Sequence, residues 1–423
     1  MQLFHFLVVI VSLSCGSLPA SDQGFWLALQ MTLAVVVAWS LLSHLGSYMI
    51  AAQVKADTLE PLVGAKWLEK QLDAFRWLSL GMIVMCLAGF GLARNIESLP
   101  ILKESMSLQA MVLLMPGLLM MLATWSAEHA YGVRLGYTTG GFKNHIRSLW
   151  LSFRSSIGWL IAPVVLVLGM TDLIGLLPIS DSAAMWLSVG GIGIFIVMVI
   201  PRLVRRLFKT DPIDEQTEQW VSELLTAAGV GKIRCVRWNT ENRAFNAMVA
   251  GFIRRYRTLF LSDRLIDELP QEQIAMVVLH EVAHVRRYHV PLRMLAILPA
   301  WIAGSLISDI AGDSQWATAL GSAGAILLTL LVLRIVAYRS ERDADVQACH
   351  LAAKISASVA NVPADYDTAC ETLCTALSRV TEGHEAAQKA SWLHPSIADR
   401  IAWMRRHRDV PVEASVKATA SVC

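Results

Sequence analysis

His280-Glu281-Val282-Ala283-His284 is the stretch on which the reading of this chain turns. It lies in a segment with helical character, with Pro270 suited to its first turn and Glu272 to the positive end of its dipole. In a helix His280 and His284 stand at i and i+4, so both imidazoles leave one face and can bind one metal ion. Glu281 sits beside them, placed to take a proton from water at that metal. Five residues thus point to a zinc hydrolase and leave its third ligand and its substrate open.

Working outward, the chain is unusually apolar. Of 423 residues 55% are hydrophobic and only 17% charged, whereas soluble domains carry about a quarter charged residues. The imbalance is concentrated in long runs near 3–21, 25–45, 77–94, 106–126, 155–173, 183–201, 292–311 and 315–333. A bilayer span needs about 20 such residues, so seven to eight spans are expected, the seventh run being the weakest. The first run lacks the basic start of a signal peptide and is read as a retained span. A net charge of +2, with no basic stripe interleaved with aromatics, speaks against a nucleic-acid partner. The seven cysteines are scattered and make no disulfide framework; Cys370 and Cys374 read as one packed helix face.

Loop charges set the expected orientation. Arg134, Lys143, Arg147 and Arg154 lie between the fourth and fifth runs. Arg202, Arg205, Arg206 and Lys209 follow the sixth, and Arg334, Arg339 and Arg342 follow the eighth. The loops at 174–182 and 309–314 have neither Lys nor Arg. The positive-inside rule therefore puts 202–291 and 334–423 in the cytoplasm. Trp125, Glu128 and His129 flank a span and read as interfacial anchors.

The polar segments suffice for one compact domain assembled from two parts. The expected plan is a membrane region over 1–203, a first catalytic part over 204–290, a hairpin over 291–337, a second catalytic part over 338–410 and a disordered tail over 411–423. The first part reads as α+β, with an amphipathic helix at 214–228 and strands at Ile233–Trp238, Ala244–Ala250 and Thr258–Leu261.

A catalytic zinc usually has three protein ligands. One HExxH class takes its third from a His six residues past the second, but position 290 here is Val290. His289 reads as a helix-end or membrane-surface residue. Glu341-Arg342-Asp343-Ala344-Asp345 offers the alternative: Glu341 and Asp345 share a helical face. Glu341 is then the candidate third ligand, and Asp345 the acceptor for the far nitrogen of a ligand His. By itself this stretch would read as a solvated helix end; after HExxH and an apolar hairpin the ligand reading is favoured.

HEVAH, an apolar hairpin, the ExxAD of Glu341 to Asp345, and His394-Pro395-Ser396 with Arg400-Ile401 together resemble the membrane-embedded zinc metallopeptidases, typified by the type I CaaX prenyl protease and the HtpX heat-shock protease. Asn246-Ala247 before Gly251 is similar to the segment that precedes HExxH there. The resemblance covers about 233–405 and keeps the family's motif order. It implies a mainly α-helical multi-pass membrane protein with an α+β zincin-like catalytic domain split by a two-span hairpin. It implies an endopeptidase with one Zn2+ per chain, ligands His280, His284 and Glu341, and Glu281 as general base. His394 would stabilise the oxyanion, and Asn246 and Ala247 would contact a polypeptide substrate along an edge strand. Membrane-associated or damaged proteins are the expected substrates, with CaaX-type processing of lipidated proteins as the alternative.

Two other classes compete. A site-two-type intramembrane protease would need the motif inside a span and a later Asp-Gly, and the chain has no Asp-Gly. A non-catalytic scaffold with a vestigial site would have no use for Glu281.

Overall fold

The computed structural model describes residues 2–15, 24–96, 99–240, 242, 245–251, 253–296, 298–311, 315–381 and 388–407. The tail expected over 411–423, Ala244 and the end of the first apolar run lie outside them. The chain divides into two compact units. One is Met1–Phe195 with Gly304–Gly324; the other is Ile196–Ala303 with Ala325–Cys423.

Among the described residues, six helices are long and apolar enough to cross a bilayer: Phe25–Lys55, Pro61–Gly89, Met106–Arg134, Phe142–Gly175, Asp181–Leu207 and Ala323–Ile355. The chain is a mainly helical, multi-pass membrane protein. Among the described residues, the first and seventh of the eight apolar runs form shorter helices. The first forms a 13-residue helix, Gln2–Ser14. The seventh is divided into His289–Leu295 and the 14-residue Leu298–Ala311. At 1.5 Å per residue the latter covers only ~21 Å of a ~30 Å hydrocarbon core. The eighth run, by contrast, belongs to an unbroken 41-residue helix, Gln315–Ile355, which continues past the apolar stretch into the polar Glu341–Asp345 segment.

In the first unit, helix Met106–Arg134 packs against Phe25–Lys55 and Pro61–Val84. Gly117 permits the close approach there: a Cβ would lie 2.9 Å from Val8 and 3.0 Å from Ile83. Ile83, Leu87, Leu114 and Ile157 fill the interior, while Leu78, Leu173 and Trp186 face outward, as lipid-exposed residues do.

The second unit is built on a four-stranded sheet of order β1-β2-β4-β3: β1 Thr210–Asp211, β2 Arg234–Trp238, β3 Ala247–Ala250 and β4 Thr258–Ser262. β2 and β4 run parallel; the other two pairings are antiparallel. β4 is buried along its whole length, so it carries apolar residues on both faces rather than an alternating pattern. Helices Glu215–Ala227 and Tyr366–Val380 and the HExxH helix, Gln271–Arg286, join the sheet in one core through Leu224, Leu225, Leu259, Leu261, Val278, Leu279 and Leu373. β1 was not anticipated, because two residues carry no readable period.

Candidate metal centre

The HExxH helix, Gln271–Arg286, is flanked by Pro270 and Arg287, and the next residue, Tyr288, adopts φ +54°. A left-handed conformation is uncommon for a bulky residue and reverses the chain sharply. The turn brings His289 back beside His284.

Seen from the protein core, Ile274, Val278 and Val282 anchor one face of this helix, while His280 and His284 emerge from another. The long helix Gln315–Ile355 delivers Glu341, only 2% exposed, against them. His280 Nε2 and His284 Nε2 lie 3.2 Å apart. Glu341 places Oε1 3.4 Å from His284 Nε2 and Oε2 3.7 Å from His280 Nε2. A tetrahedral centre with bonds of ~2.0–2.1 Å spaces its donors ~3.3 Å apart. Two imidazoles and one carboxylate at this spacing fit zinc better than a hard cation that favours oxygen alone.

The opposite edges of both rings are held. His280 Nδ1 is 2.9 Å from Asp345 Oδ1, off the line of an ideal hydrogen bond. Asp345 is fully buried and receives two hydrogen bonds from Arg400, at 2.8 and 2.6 Å. His284 Nδ1 is 2.9 Å from His289 Nδ1, and His289 Nε2 is 3.0 Å from Asp343 Oδ2, which also accepts from Arg287 Nε at 3.0 Å. A carboxylate only accepts, so His289 carries its proton on Nε2 and offers a lone pair at Nδ1. His284 then donates from Nδ1 and keeps Nε2 free.

Burial alone would lower the His280 pKa, but the contacts with Asp345 and Glu341 outweigh it and raise it to about 9. Burial and the neighbouring His280 push His284 down to about 2. Glu281 is raised to about 7, first by burial and then by the Glu341 charge, against the pull of His280.

The other residues singled out in the sequence are placed as follows. Glu281 accepts a hydrogen bond from the Val249 backbone. Ser262 N donates to Asn246 O at 2.9 Å, so in the β3–β4 ladder the backbone groups of Ala247 and Val249 turn toward the free edge of β3. Ala247 therefore lies on the edge that faces Glu281, while Asn246 stands exposed at the head of the strand. His394 Nδ1 is 3.0 Å from Glu341 Oε2, its side chain half exposed. Its loop is tied down by Tyr338, which donates to Ser391 O at 2.6 Å, and by Trp392, which donates to Leu330 O at 3.3 Å.

Sequence reasoning missed four residues. His289 is buried at 5% exposure against His284, not at a surface. Asp343 and Arg287 complete its contacts, and Arg293 donates to Glu341 Oε1 at 2.9 Å. The only available signal was a third histidine five residues past HExxH; its meaning depends on the Tyr288 turn.

Residues 213–408 match the family described as Peptidase family M48. A comparison with curated proteins finds no match. Among solved structures the chain is similar to one titled "Crystal Structure of S. mikatae Ste24p", at 15% identity, with 91% of this chain and 100% of that chain covered and a TM-score of 0.38.

Proposed function

From a chain whose residues 213–408 match peptidase family M48, we propose a zinc-dependent membrane metalloendopeptidase of that family that cleaves membrane-associated or damaged polypeptides at the cytoplasmic face. The observation that carries this reading is the convergence of His280 Nε2, His284 Nε2 and the Glu341 carboxylate beside Glu281. His280, His284 and Glu341 would hold zinc, which when bound supplies a Lewis acid for a peptide carbonyl and lowers the pKa of water.

The remaining chemistry belongs to the chain's own side chains. Glu281, with a pKa near 7 before metal enters, takes a proton from the attacking water and returns it to the leaving amine. The free edge of β3 adds the substrate backbone as a further strand, with the Ala247 backbone and the Val249 carbonyl supplying its hydrogen bonds and Asn246 standing at its entrance. His394, half exposed beside Glu341, donates to the oxyanion of the tetrahedral state. Asp345 with Arg400 and His289 with Asp343 orient the two ligand rings. Arg202, Arg205 and Arg206 at the end of Asp181–Leu207, Lys209 just after it, and Arg334, Arg339 and Arg342 after the apolar part of the long helix support a cytoplasmic catalytic unit.

Glu281→Gln tests the mechanism. The variant is expected to keep wild-type zinc content and to lose about 10²–10⁴-fold in turnover of a casein-type substrate. Comparing the proteomes of cells with wild type and this variant identifies the substrates as the proteins that accumulate. Undiminished turnover in Glu281→Gln would refute the role of the glutamate.

A further inference from the structure

The first unit contains a polar group that peptide hydrolysis does not use. His44 on Phe25–Lys55, Ser126 and His129 on Met106–Arg134, and His145 on the amphipathic helix Phe142–Phe153 are joined through hydrogen bonds and a ring contact. Ionisable residues inside a membrane bundle are costly to bury and mark sites where something polar is handled.

The hydrogen bonds among them run in one direction. His44 Nδ1 is 2.8 Å from Ser40 O, a carbonyl that only accepts, so the proton of neutral His44 sits on Nδ1. His44 Nε2 then accepts from Ser126 Oγ at 3.0 Å, and Ser126 Oγ accepts from His145 Nε2 at 3.2 Å. This chain fixes the His145 ring, against which the His129 ring packs edge-on with centroids 5.0 Å apart.

His129 and His145 line a cavity of about 420 Å³ with Arg134, Gly140, Gly141 and Phe142. The cavity is preformed: Asn144 Nδ2 ties its rim to Gly140 O at 2.9 Å and to Thr139 Oγ1 at 3.1 Å. The Arg134 guanidinium rests over the Tyr48 ring, 4.9 Å from its centroid. His129 Nε2 and Arg134 Nη1 are buried atoms with no hydrogen-bond partner among the described residues. The 12-residue helix Phe142–Phe153 starts at the rim after Gly141, with no side chain capping its first turn, so the positive end of its dipole is there. Among the described residues, no carboxylate lines the space. Donors, one fixed positive charge, a helix N-terminus and no competing anion together select an anionic oxygen ligand. The cavity also lies at the end of a helix long enough to cross a bilayer, the depth at which lipid phosphates sit.

We propose that this cavity binds a phosphate group through Arg134 and His129, supplied by the headgroup of a membrane phospholipid. Free phosphate presents the same oxygens, so the test separates the two sources. The full chain, as wild type, Arg134→Gln and His129→Phe, is placed in nanodiscs of phosphatidylglycerol and phosphatidylcholine. Phospholipid retained after the disc is stripped away is counted by native mass spectrometry. In a second arm, delipidated protein in detergent is titrated with inorganic phosphate and its melting temperature followed.

Wild type is expected to hold one phospholipid and both variants about tenfold less, with Arg134→Lys, which keeps the charge, recovering most of the loss. A phosphate-dependent rise in melting temperature that both variants lose would show that free phosphate uses the same site. Equal lipid retention in wild type and both variants, without a phosphate response, would overturn the proposal.

Discussion

Replacing His289 with alanine is expected to weaken zinc binding by about 10- to 100-fold while leaving all three ligands in place. His289 contributes two contacts, 2.9 Å to His284 Nδ1 and 3.0 Å to Asp343. One neutral hydrogen bond contributes about 0.5–1.5 kcal/mol, which by itself is a factor of roughly 2–12. The wild-type chain also charges that bond indirectly, since Asp343 and Arg287 stand behind His289. Without it the His284 ring loses its fixed tautomer, and its proton can occupy the nitrogen that should face the metal. The full loss of orientation corresponds to about 1.4–2.7 kcal/mol. The assay is zinc competition against a fluorescent chelator with full-length protein in detergent, alongside the melting temperature of metal-free protein. Asp343→Asn should act through His289, so the double variant should bind zinc about as weakly as His289→Ala alone. A folded His289→Ala protein with zinc affinity within about twofold of wild type, or strictly additive effects of the two changes, would refute the reasoning.

Two more outcomes follow from the same geometry. Asp345→Asn leaves Arg400 buried without its charge partner, and thermal or denaturant unfolding should show about 3–5 kcal/mol of lost stability in the catalytic unit; a loss under 1 kcal/mol would show that the pair is not buried as described. Zinc must displace the proton that His280 holds below its pKa of about 9, so one proton should be released per zinc bound near neutral pH. Apparent zinc affinity should therefore rise about tenfold per pH unit up to that value and then level off; calorimetry in buffers of different ionisation enthalpy reads this directly, and buffer-independent heats would exclude it.

Hydropathy and helical spacing were readable from the chain because both are local. HExxH puts two rings on one face wherever a helix forms, and β2 and β4 came out within a residue of the strands expected from their composition. The apolar runs located the long helices: among the described residues six of the eight lie in helices long enough to span. In the seventh run helix His289–Leu295 ends at the turn residue Ala296. Composition counts apolar residues without registering where a helix breaks. His129 shows the same limit. It reads as an interfacial anchor until Gly140 and Gly141 of the following loop and His145 of the next helix come to line a cavity with it.

By itself, then, the sequence determined everything that depends on neighbours along one helix: the paired histidines, the adjacent Glu281, and the shared face of Glu341 and Asp345. Tertiary structure alone decided which nitrogen of each ring is free. The Tyr288 reversal returns His289 to His284, and Arg400 holds Asp345 against His280. Helix geometry fixes spacing at 3.6 residues per turn and is therefore written into the chain. Contacts between elements have no fixed spacing and emerge only when the core around Leu259, Val278 and Leu373 brings those elements together.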